Sequence, residues 1–417
     1  MSFSTISVVG LGYIGLPTAA VFASRKLKVI GVDVNQHAID TINKGEVHIV
    51  EPDLDMVVHA AVKEGYLRAT NKPEPADAFL IAVPTPFKGG NHEPDLSYIE
   101  SAAKSIAPVL EKGNLVILES TSPVGATEDM AAWLAEARPD LTFPQQDGEG
   151  SDIRIAHCPE RVLPGHVIRE LVENDRVVGG MTPKCSEAAC NLYRIFLQGE
   201  CVVTTARTAE MCKLTENSFR DVNIAFANEL STICDRLEID VWELIRLANR
   251  HPRVNILQPG PGVGGHCIAV DPWFIVSSAP DESELIATAR KVNDAKPQWV
   301  QDKVKLAIGS FLQANPDKTI REVTVACYGL SFKADIDDLR ESPAMKIATA
   351  ILRDHAGKVL MVEPNIRELP EHLDSSTLVS ESEAKAEADI HVLLVDHKSF
   401  KAAPPKSGIV IDTRGIW

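Results

Sequence analysis

A cysteine stands in a stretch of chain that suits neither a regular helix nor a strand. Residues 259–272 read PGPGVGGHCIAVDP, with Cys267 after two glycines and His266, and with Asp271 four residues later. Glycines let the backbone and a ligand approach each other closely, and a thiolate is a strong nucleophile that forms covalent adducts with carbonyl groups. The common alternative is a buried, inert thiol, but packing cysteines usually lie on helices or strands. We therefore predict that Cys267 is a catalytic nucleophile.

Three polar side chains recur at helical spacing ahead of this loop. Lys213, Asn217 and Arg220 stand at positions i, i+4 and i+7, so a helix would carry them on one face. Solvent exposure explains most such faces, but an asparagine flanked by two cations also suits a phosphate or an oxyanion. Lys213 is a candidate for the cation that a thiol needs nearby in order to ionise.

A glycine-rich turn follows the first apolar run of the chain. The runs TISVVG, LGYIGLPTAAVFASRK and LKVIGVDV read as strand, turn with helix, and strand. Gly10, Gly12 and Gly15 form the pattern GxGxxG, in which the first glycine permits a tight turn, the second admits a pyrophosphate and the third lets helix and strand pack closely. Asp33 ends the second strand, where an acid binds a ribose 2′-hydroxyl and repels a 2′-phosphate. We expect NAD rather than NADP, the alternative being a tight turn that binds no ligand.

A second loop with hydroxyl side chains follows another predicted strand. Residues 119–127 read ESTSPVGAT and contain Thr121, Ser122 and Thr127. In a parallel sheet such a loop lies at the carboxyl edge, where ligands bind. These hydroxyls are therefore candidates for binding a cofactor or substrate, although Ser-Pro turns and threonine caps explain the stretch equally well.

Length and composition set the class of protein. The chain has 417 residues, of which 45% are hydrophobic and 24% charged, as in an ordinary globular protein of two or three domains. The net charge of −16 argues against nucleic acid or an anionic membrane as the main partner. Eight scattered cysteines give neither a disulfide framework nor a zinc-type array, so we expect no metal site and a reducing cytoplasm. No run of about 18 apolar residues predicts a membrane span, and no signal-peptide pattern opens the chain.

The alternation of short apolar runs and helical patterns predicts an α/β protein with two Rossmann-like doubly wound domains joined by a central all-helical domain. We expect residues 1–207 to bind NAD, residues 208–314 to form the helical dimerisation domain with the cysteine loop, and residues 315–417 to bind a nucleotide sugar. Residues 143–152, FPQQDGEGSD, are expected to form a surface loop.

The central domain should contain two long helical runs, at 208–249 and at roughly 282–313. In the first run, apolar side chains recur every three or four residues and form a stripe: Phe219, Val222, Phe226, Leu230, Ile233 and Leu237. A two-fold dimer is the commonest closed assembly. We therefore expect this helical segment, through its stripe, to carry the main contact between two subunits.

Six motifs in order resemble the UDP-glucose/GDP-mannose dehydrogenase family, whose members oxidise a nucleotide sugar at C6 with NAD. The resemblance covers essentially the whole chain and rests on GLGYIGLP, STSPVG, PER, KLTENSFRDVNIAFANEL, GPGVGGHCIAVDP and GLSFKADIDDLRESP. The form GHCIxVDP looks like the branch that acts on UDP-N-acetylated hexosamines, first of all UDP-N-acetyl-D-mannosamine, for bacterial surface polysaccharides. Many UDP-glucose-oxidising members have a lysine where this chain has Val270, so no role is assigned to that position.

The resemblance implies a four-electron oxidation with two NAD per sugar. Lys213 would be the general acid/base group, and Cys267 would form a thiohemiacetal and then a thioester. Asn217 would help hold the oxyanion, and Asp271 would position Lys213 or the water that hydrolyses the thioester. Thr121 is counted with these catalytic candidates.

The resemblance also implies binding roles. Tyr13, Ile14 and Asp33 would contact NAD, with Thr85 and Thr127 beside the nicotinamide. Residues expected to contact the UDP-sugar are Arg161, Val162, Lys213, Asn217, Arg220, His251, Arg253, Gly264, Phe332, Lys333, Arg340 and Arg414. Lys333 and Arg340 flank a strand-to-helix loop, which favours a pyrophosphate over mere surface charge. Arg253 would reach the site of a neighbouring subunit in a homodimer.

Other functions remain open at this stage. The same chemistry on UDP-N-acetylglucosamine or another UDP-hexose is the first alternative. A single-step NAD dehydrogenase or an epimerase with Cys267 merely packed is another. A nucleotide-sugar binding protein without catalysis belongs to a different class. The number of NADH formed per sugar separates these readings.

Overall fold

The computed structural model describes residues 3–89, 92–163, 165–265, 267–371, 373–374, 377–402 and 404–417, so His266 lies outside the described residues. The chain divides into two compact units. The first comprises Met1–Glu216 with Ser277–Ala279, and the second comprises Asn217–Val276 and Pro280–Trp417. No helix among the described residues has both the length and the apolar content that a membrane crossing requires.

The first unit is built from strands that alternate with helices. Its strands are β1 (Thr5–Val9), β2 (Lys28–Val32), β3 (Leu67–Thr70), β4 (Ala78–Ile81), β5 (Phe87–Lys88), β6 (Glu93–Pro94), β7 (Leu115–Leu118), β8 (Arg154–His157), β9 (Arg176–Gly180) and β10 (Cys201–Thr205). Its helices are α1 (Gly15–Ser24), α2 (Gln36–Asn43), α3 (Leu54–Lys63), α4 (Ser97–Ile106), α5 (Ala126–Ala137), α6 (Pro144–Asp147), α7 (Val167–Glu173) and α8 (Pro183–Tyr193).

Eight of these strands form one sheet in the order β10-β9-β8-β7-β4-β1-β2-β3. Neighbours are parallel except β8 and β9, which pair antiparallel. Helices cover both faces, and the strands β4 and β7 are accordingly buried at every position. The strand order reverses between β1 and β4, and such a reversal opens a ligand crevice at the carboxyl ends of the strands. The predicted doubly wound sheet is confirmed.

Three local features of this unit differ from the sequence pattern. Strands β3 and β9 did not stand out as apolar runs, because LRAT and RVVGG contain a charged residue or paired glycines. Half of residues 143–152 are exposed. The prediction of a loop is wrong for Pro144–Asp147, which forms α6, and a short 3-10 turn follows at Gly148–Gly150. Proline suits the first position of a helix, and buried Phe143 anchors the start of α6.

The second unit combines long helices with a smaller sheet. Its helices are α9 (Ala206–Arg236), which begins in the first unit, α10 (Val241–Ala248), α11 (Asp271–Ser278), α12 (Glu284–Ala314), α13 (Pro343–Asp354) and α14 (Glu381–Glu387). Its strands are β11 (Val325–Tyr328), β12 (Val359–Val362), β13 (Ile390–Leu393) and β14 (Ile409–Asp412). They form a parallel sheet in the order β12-β11-β13-β14, which confirms a second α/β sheet of nucleotide-binding type.

The apolar stripe on α9 is exposed in the single chain. Phe219 is 70% exposed and Phe226 is 54% exposed. Leu237, the first residue after α9, is 61% exposed, whereas Val222 and Leu230 are half-buried. The buried face is instead largely small and polar. Asp221 accepts a hydrogen bond from Arg290 of α12 at 2.6 Å, and Asn228 Nδ2 donates to Oδ1 of Asn293 of α12 at 2.9 Å. The helix therefore presents its most apolar face outward, away from the core of its own unit.

Candidate active site

The glycine turn after β1 has the geometry of a pyrophosphate site. A β-carbon added at Gly10 would lie 2.5 Å from the carbonyl oxygen of Ala82, and one added at Gly15 would lie 1.7 Å from the carbonyl oxygen of Gly10. A β-carbon at Gly12 would meet no protein atom within 4 Å. Packing therefore explains the first and third glycines, whereas the second keeps the backbone open to a ligand.

Helix α1 begins in this turn without a side-chain cap. Its N-cap residue, Ile14, makes no capping hydrogen bond, and the first turn holds no acidic side chain. The amide groups and the dipole at such a helix start favour an anion. Tyr13, which is 44% exposed, borders the same turn. These residues fit the pyrophosphate of NAD.

Asp33 follows β2 and holds the turn from the opposite side. Its Oδ2 accepts a hydrogen bond from the amide of Leu11 at 2.8 Å, and its Oδ1 accepts one from the amide of Asn35 at 2.8 Å. The amide of Gly10 donates to the carbonyl of Val32 at 2.8 Å. Carboxylate oxygens have further lone pairs, so Asp33 can accept a ribose hydroxyl while it fixes the turn.

Two buried hydroxyl groups near the carboxyl ends of β4 and β7 lack partners among the described residues. They are Thr85 Oγ1 and Ser122 Oγ. Buried polar atoms normally have a hydrogen-bond partner, and a bound cofactor or substrate would supply one. Thr121 lies beside Ser122 and is half-buried. The orphaned Thr85 hydroxyl fits its predicted place near the nicotinamide.

Thr127 differs from Thr85 and Ser122, because its hydroxyl has a partner. Its side chain is fully buried. Its hydroxyl donates to Glu210 Oε1 at 2.6 Å, and its amide donates to the same oxygen at 2.8 Å. The amide of Gly125 donates to Glu210 Oε2 at 2.7 Å. Glu210, on α9, thereby caps the start of α5, and burial raises the pKa of Glu210 above its ordinary value. The Thr127 hydroxyl donates its proton to Glu210, and its place beside the nicotinamide stays a prediction.

A buried polar cluster that the sequence analysis did not assign lies at the carboxyl ends of β7 and β8. Arg176 Nη2 donates to Glu160 Oε2 at 3.1 Å, and Arg176 Nη1 lies 3.6 Å from Glu119 Oε1. The hydroxyl of Tyr193 donates to Glu119 Oε1 at 2.7 Å. Burial raises the pKa of Glu119 to about 7. Glu119 follows β7 and Glu160 lies three residues after β8, and a position after a strand is the signal that could have revealed both acids.

The same cluster fixes the start of the predicted substrate segment. The amide of Arg161 donates to Glu160 Oε1 at 2.6 Å. The guanidinium of Arg161 lies 2.6 Å from Glu216 Oε1 of α9, and Val162 packs against the core of the first unit. Arg161 is thus a paired cation, and a bound substrate would have to share it with Glu216.

Lys213, Asn217 and Arg220 all lie on α9, at the helical spacing that the sequence predicts. Asn217 Nδ2 donates to Oδ2 of Asp271, the first residue of α11, at 2.5 Å, and Asp271 is buried. Within the described parts of the chain, Lys213 and Arg220 have no side-chain hydrogen bond or ion pair. Two of the predicted catalytic residues, 54 positions apart, are therefore in direct contact.

Cys267 is an exposed thiol, whereas the other seven cysteines are buried or half-buried. Its carbonyl accepts hydrogen bonds from the amides of Val270 at 3.0 Å and Asp271 at 2.8 Å, so Cys267 opens a helical turn that leads into α11. This environment suits a nucleophile better than a packing residue.

The glycines ahead of the thiol let its loop pack closely on the sheet domain of the same unit. A β-carbon at Gly264 would lie 2.5 Å from the carbonyl oxygen of Glu341 and 3.2 Å from Cβ of Phe332. A β-carbon at Gly260 would lie 2.6 Å from Nη1 of Arg414. The structure thus brings three predicted substrate contacts together from distant parts of the sequence.

Cations border this loop contact. Exposed Lys333 has no side-chain partner among the described residues. Arg340 donates two hydrogen bonds to Asp338, at 2.9 and 2.7 Å, and Arg414 lies 2.7 Å from Asp396. Guanidinium and ammonium groups at a strand-to-helix loop suit a pyrophosphate.

His251 and Arg253 are exposed and lie between α10 and the cysteine loop. The amide of Arg253 lies 3.4 Å from Nδ1 of His251. Within the described residues, neither side chain contacts any other predicted substrate residue of its own unit. Their part in a site of a neighbouring subunit stays a prediction.

Known protein families account for most of the chain. Residues 4–197 match the NAD binding domain of the UDP-glucose/GDP-mannose dehydrogenase family, residues 207–295 match its central domain, and residues 326–417 match its UDP binding domain. The order of these matches agrees with the order of the motifs in the sequence. The first of them makes NAD the cofactor of the domain that contains the glycine turn.

Individual relatives extend over the full chain. The chain is 70% identical to UDP-N-acetyl-D-mannosamine dehydrogenase of Yersinia pestis, with 100% of both chains covered, and 67% identical to NDP-N-acetyl-D-galactosaminuronic acid dehydrogenase of Ralstonia nicotianae, with 100% of this chain and 97% of the other covered. A solved structure of the UDP-D-ManNAc dehydrogenase from Pyrococcus horikoshii matches with a TM-score of 0.88 at 39% identity, over 99% of this chain and 96% of the other. The chain belongs to the UDP-glucose/GDP-mannose dehydrogenase family.

Proposed function

We propose that the protein oxidises UDP-N-acetyl-D-mannosamine at C6 to UDP-N-acetyl-D-mannosaminuronic acid, with two NAD per sugar. The observation that carries the proposal is the exposed Cys267, in a glycine loop that packs on the strand-to-helix loop of the same unit. Oxidation of an alcohol to an acid in two steps needs a group that captures the aldehyde, and an exposed thiol does this. The Yersinia pestis relative carries this sugar nucleotide in its name.

The glycine turn after β1 and Asp33 would hold NAD, which would supply the hydride acceptor for each of the two oxidations at C6. Lys213 in its neutral form takes the proton of the C6 hydroxyl, so that loss of the hydride leaves an aldehyde. Its side chain, which has no other partner among the described residues, suits this role. Thr121 donates a hydrogen bond to the reacting oxygen.

The thiolate of Cys267 then adds to the aldehyde carbon and forms a C–S bond. One amide hydrogen of Asn217 is bound to Asp271, and the other is available to hold the resulting oxyanion. Loss of the second hydride converts the thiohemiacetal into a thioester. Water, positioned by Asp271 or activated by Lys213, attacks the thioester, the C–S bond breaks, and the acid leaves as the thiolate is restored. The balance is one alcohol, two NAD and one water giving one acid, two NADH and two protons.

The second unit holds the nucleotide part of the substrate in this proposal. Lys333, Arg340 and Arg414 supply positive charge for the pyrophosphate. We name residues 331–342 the nucleotide loop; Phe332 and Gly264 set the distance between this loop and the cysteine loop. Remaining contacts come from Arg161, Val162, Arg220 and the amide groups of their segments. Tyr13, Ile14, Asp33, Thr85 and Thr127 serve NAD.

A homodimer completes the proposal. The exposed stripe on α9, represented by Phe219, Phe226 and Leu237, is the apolar face that a second copy of this chain would cover. Exposed His251 and Arg253 would then be available to the neighbouring site. Residues 1–207, 208–314 and 315–417 are the functional domains that we propose for NAD, dimerisation and UDP-sugar.

The setting that we propose is the cytoplasm, with the acid used for a bacterial surface polysaccharide. None of the eight cysteines forms a disulfide, which suits a reducing compartment.

The direct test is NAD reduction with a panel of UDP-sugars that contains N-acetylmannosamine, N-acetylglucosamine, N-acetylgalactosamine and glucose. We expect the highest kcat/KM with UDP-N-acetylmannosamine. Preference for the galacto sugar would place the chain with the Ralstonia relative, and reduction with no sugar of the panel would favour a binding protein without catalysis.

A variant separates capture of the aldehyde from binding. Cys267→Ser should bind NAD and the UDP-sugar while formation of the acid nearly stops, because a serine hydroxyl does not ionise near neutral pH. Cys201→Ser, at a half-buried cysteine of β10, is the matched control and should keep its activity. Acid formation by Cys267→Ser at the parent rate would exclude the thioester route.

A further inference from the structure

The two sheets use an acid in the same way at the end of their second strand. In the first unit, Asp33 accepts a hydrogen bond from the amide of Leu11 at 2.8 Å. In the second unit, Glu363 after β12 accepts one from the amide of Leu330, which follows β11, at 2.7 Å. Each acid therefore fixes the first turn after the first strand of its sheet.

The two acids differ in what covers them. Asp33 is partly exposed, whereas Glu363 is 4% exposed. The remaining faces of Glu363 are occupied by His397, whose Nε2 lies 3.0 Å from Oε2, and by the side chain of Asn365, which lies 3.1 Å from Oε1. Glu363 is thus closed to a ribose, and the second unit must bind its nucleotide through other groups.

The hydrogen bonds of His397 define its tautomer. Its Nδ1 lies 2.9 Å from the amide nitrogen of Asp335 and 3.1 Å from Nδ2 of Asn365. An amide N–H can only donate, so Nδ1 is the unprotonated acceptor, and the proton on Nε2 is donated to Glu363. The side chain is fully buried, so this arrangement is isolated from solvent.

Asp335 lies in the loop that carries the proposed nucleotide contacts. Residues 331–342 contain no helix or strand, so a few hydrogen bonds determine where Phe332, Lys333 and Arg340 lie. Asp335 has a φ of +61°, a conformation that a non-glycine residue adopts only when its surroundings hold it. The bond to His397 holds it from the core side, and Oδ1 of Asp335 also accepts the amide of Lys398 at 3.0 Å.

We propose that His397 is a positioning residue that sets the nucleotide loop for a nucleoside diphosphate. Its Nε2–H binds the buried carboxylate of Glu363, and its Nδ1 holds the backbone of Asp335 so that the loop cations face the pyrophosphate. The inference rests on the proposed function of residues 331–342 as the nucleotide loop.

Two substitutions test the contacts of the two ring nitrogens of His397 separately. In His397→Asn, the carboxamide oxygen takes the place of Nδ1 and can still accept from Asp335, while the bond to Glu363 is lost. In His397→Gln, the longer carboxamide reaches Glu363 in place of Nε2, while the acceptor for Asp335 is lost. The proposal predicts that UDP affinity, measured by calorimetry without sugar or NAD, falls about tenfold in His397→Gln and stays within about twofold of the parent in His397→Asn.

If His397 had only a structural role, UDP affinity would fall most in the variant that loses the most stability. Loss of the partner of buried Glu363 should cost His397→Asn more thermal stability than His397→Gln, so stability and affinity should rank the two variants oppositely. His391→Gln is the control, because His391 is also fully buried but bonds the hydroxyl of Tyr328 through Nδ1 at 2.8 Å, and glutamine does not replace Nδ1. It should lose stability and keep its UDP affinity.

In turnover, His397→Gln should raise KM for the UDP-sugar and leave KM for NAD unchanged. Equal UDP affinity in His397→Gln and the parent, or equal losses in both His397 variants, would overturn the inference while leaving the proposed reaction intact. Absence of UDP binding to the parent would overturn the nucleotide site itself. If His397→Gln does not fold, hydrogen exchange in the parent decides: the Asp335 amide should exchange slowly, and rapid exchange would refute its bond to His397.

Discussion

Alanine at Gly12 should separate cofactor binding from folding. The added β-carbon would meet no protein atom within 4 Å, and the backbone of Gly12 is not in the left-handed region. The free energy of unfolding should therefore change by no more than about 0.5 kcal/mol. The methyl group would stand where the pyrophosphate approaches the turn, and loss of one charge-assisted hydrogen bond costs about 1.5–3 kcal/mol. We expect the Kd for NAD to rise by about 10- to 100-fold.

Alanine at Gly15 provides the matched comparison. Its β-carbon would lie 1.7 Å from the carbonyl oxygen of Gly10, so α1 must move away from the turn. Overpacking against backbone costs about 1–3 kcal/mol or more, and we expect a clear loss of stability. Urea unfolding of both variants and calorimetric titration of NAD into the folded ones give the two quantities. The reasoning fails if Gly12→Ala binds NAD as tightly as the parent, or if it is destabilised as much as Gly15→Ala.

The remaining predictions concern the cofactor, the buried contact between helices α9 and α12, and the proposed dimer. Asp33→Ala should reduce the preference for NAD over NADP in kcat/KM, and an unchanged ratio would contradict the assigned role. Lys296 is a buried lysine of α12, and its burial lowers its pKa to about 7 from 10.5. Between these values the unfolded chain binds a proton that the folded chain does not, so the free energy of unfolding should rise with pH, by up to about 1.4 kcal/mol per pH unit. Lys296→Met should remove this slope in urea titrations, whereas the exposed control Lys305→Met should keep it. Phe226→Asp should give a folded monomer by sedimentation at micromolar concentration, and Met56→Asp, at an exposed position of α3, should leave the dimer intact.

The elements that sequence predicts well are those fixed by local chemistry. The turn at Gly10 and Gly15 follows from close contacts that only glycine permits, and the same spacing predicts the helix and strand on either side. The contact between Asn217 and Asp271 joins residues on two helices, so both could be named as candidates from the sequence but their pairing required the fold.

Other features depended on packing that no local pattern contains. Strand β9, RVVGG, is not a clear apolar run, so neither the strand nor its antiparallel pairing with β8 follows from the sequence pattern. The cluster around Arg176 needed three elements to meet, since Glu119, Glu160 and Tyr193 are far apart in sequence. Likewise, His397 became a candidate only when the structure placed it between Glu363 and the nucleotide loop.

The central claim, a four-electron oxidation through Cys267, is tested most directly by the yield of NADH with UDP-N-acetylmannosamine as the limiting reagent. NAD is supplied in excess, absorbance gives NADH at completion, and the sugar product is identified by mass. The account predicts two NADH for each sugar consumed, with the uronic acid as the product and no free aldehyde. One NADH per sugar with an aldehyde as the product would contradict it.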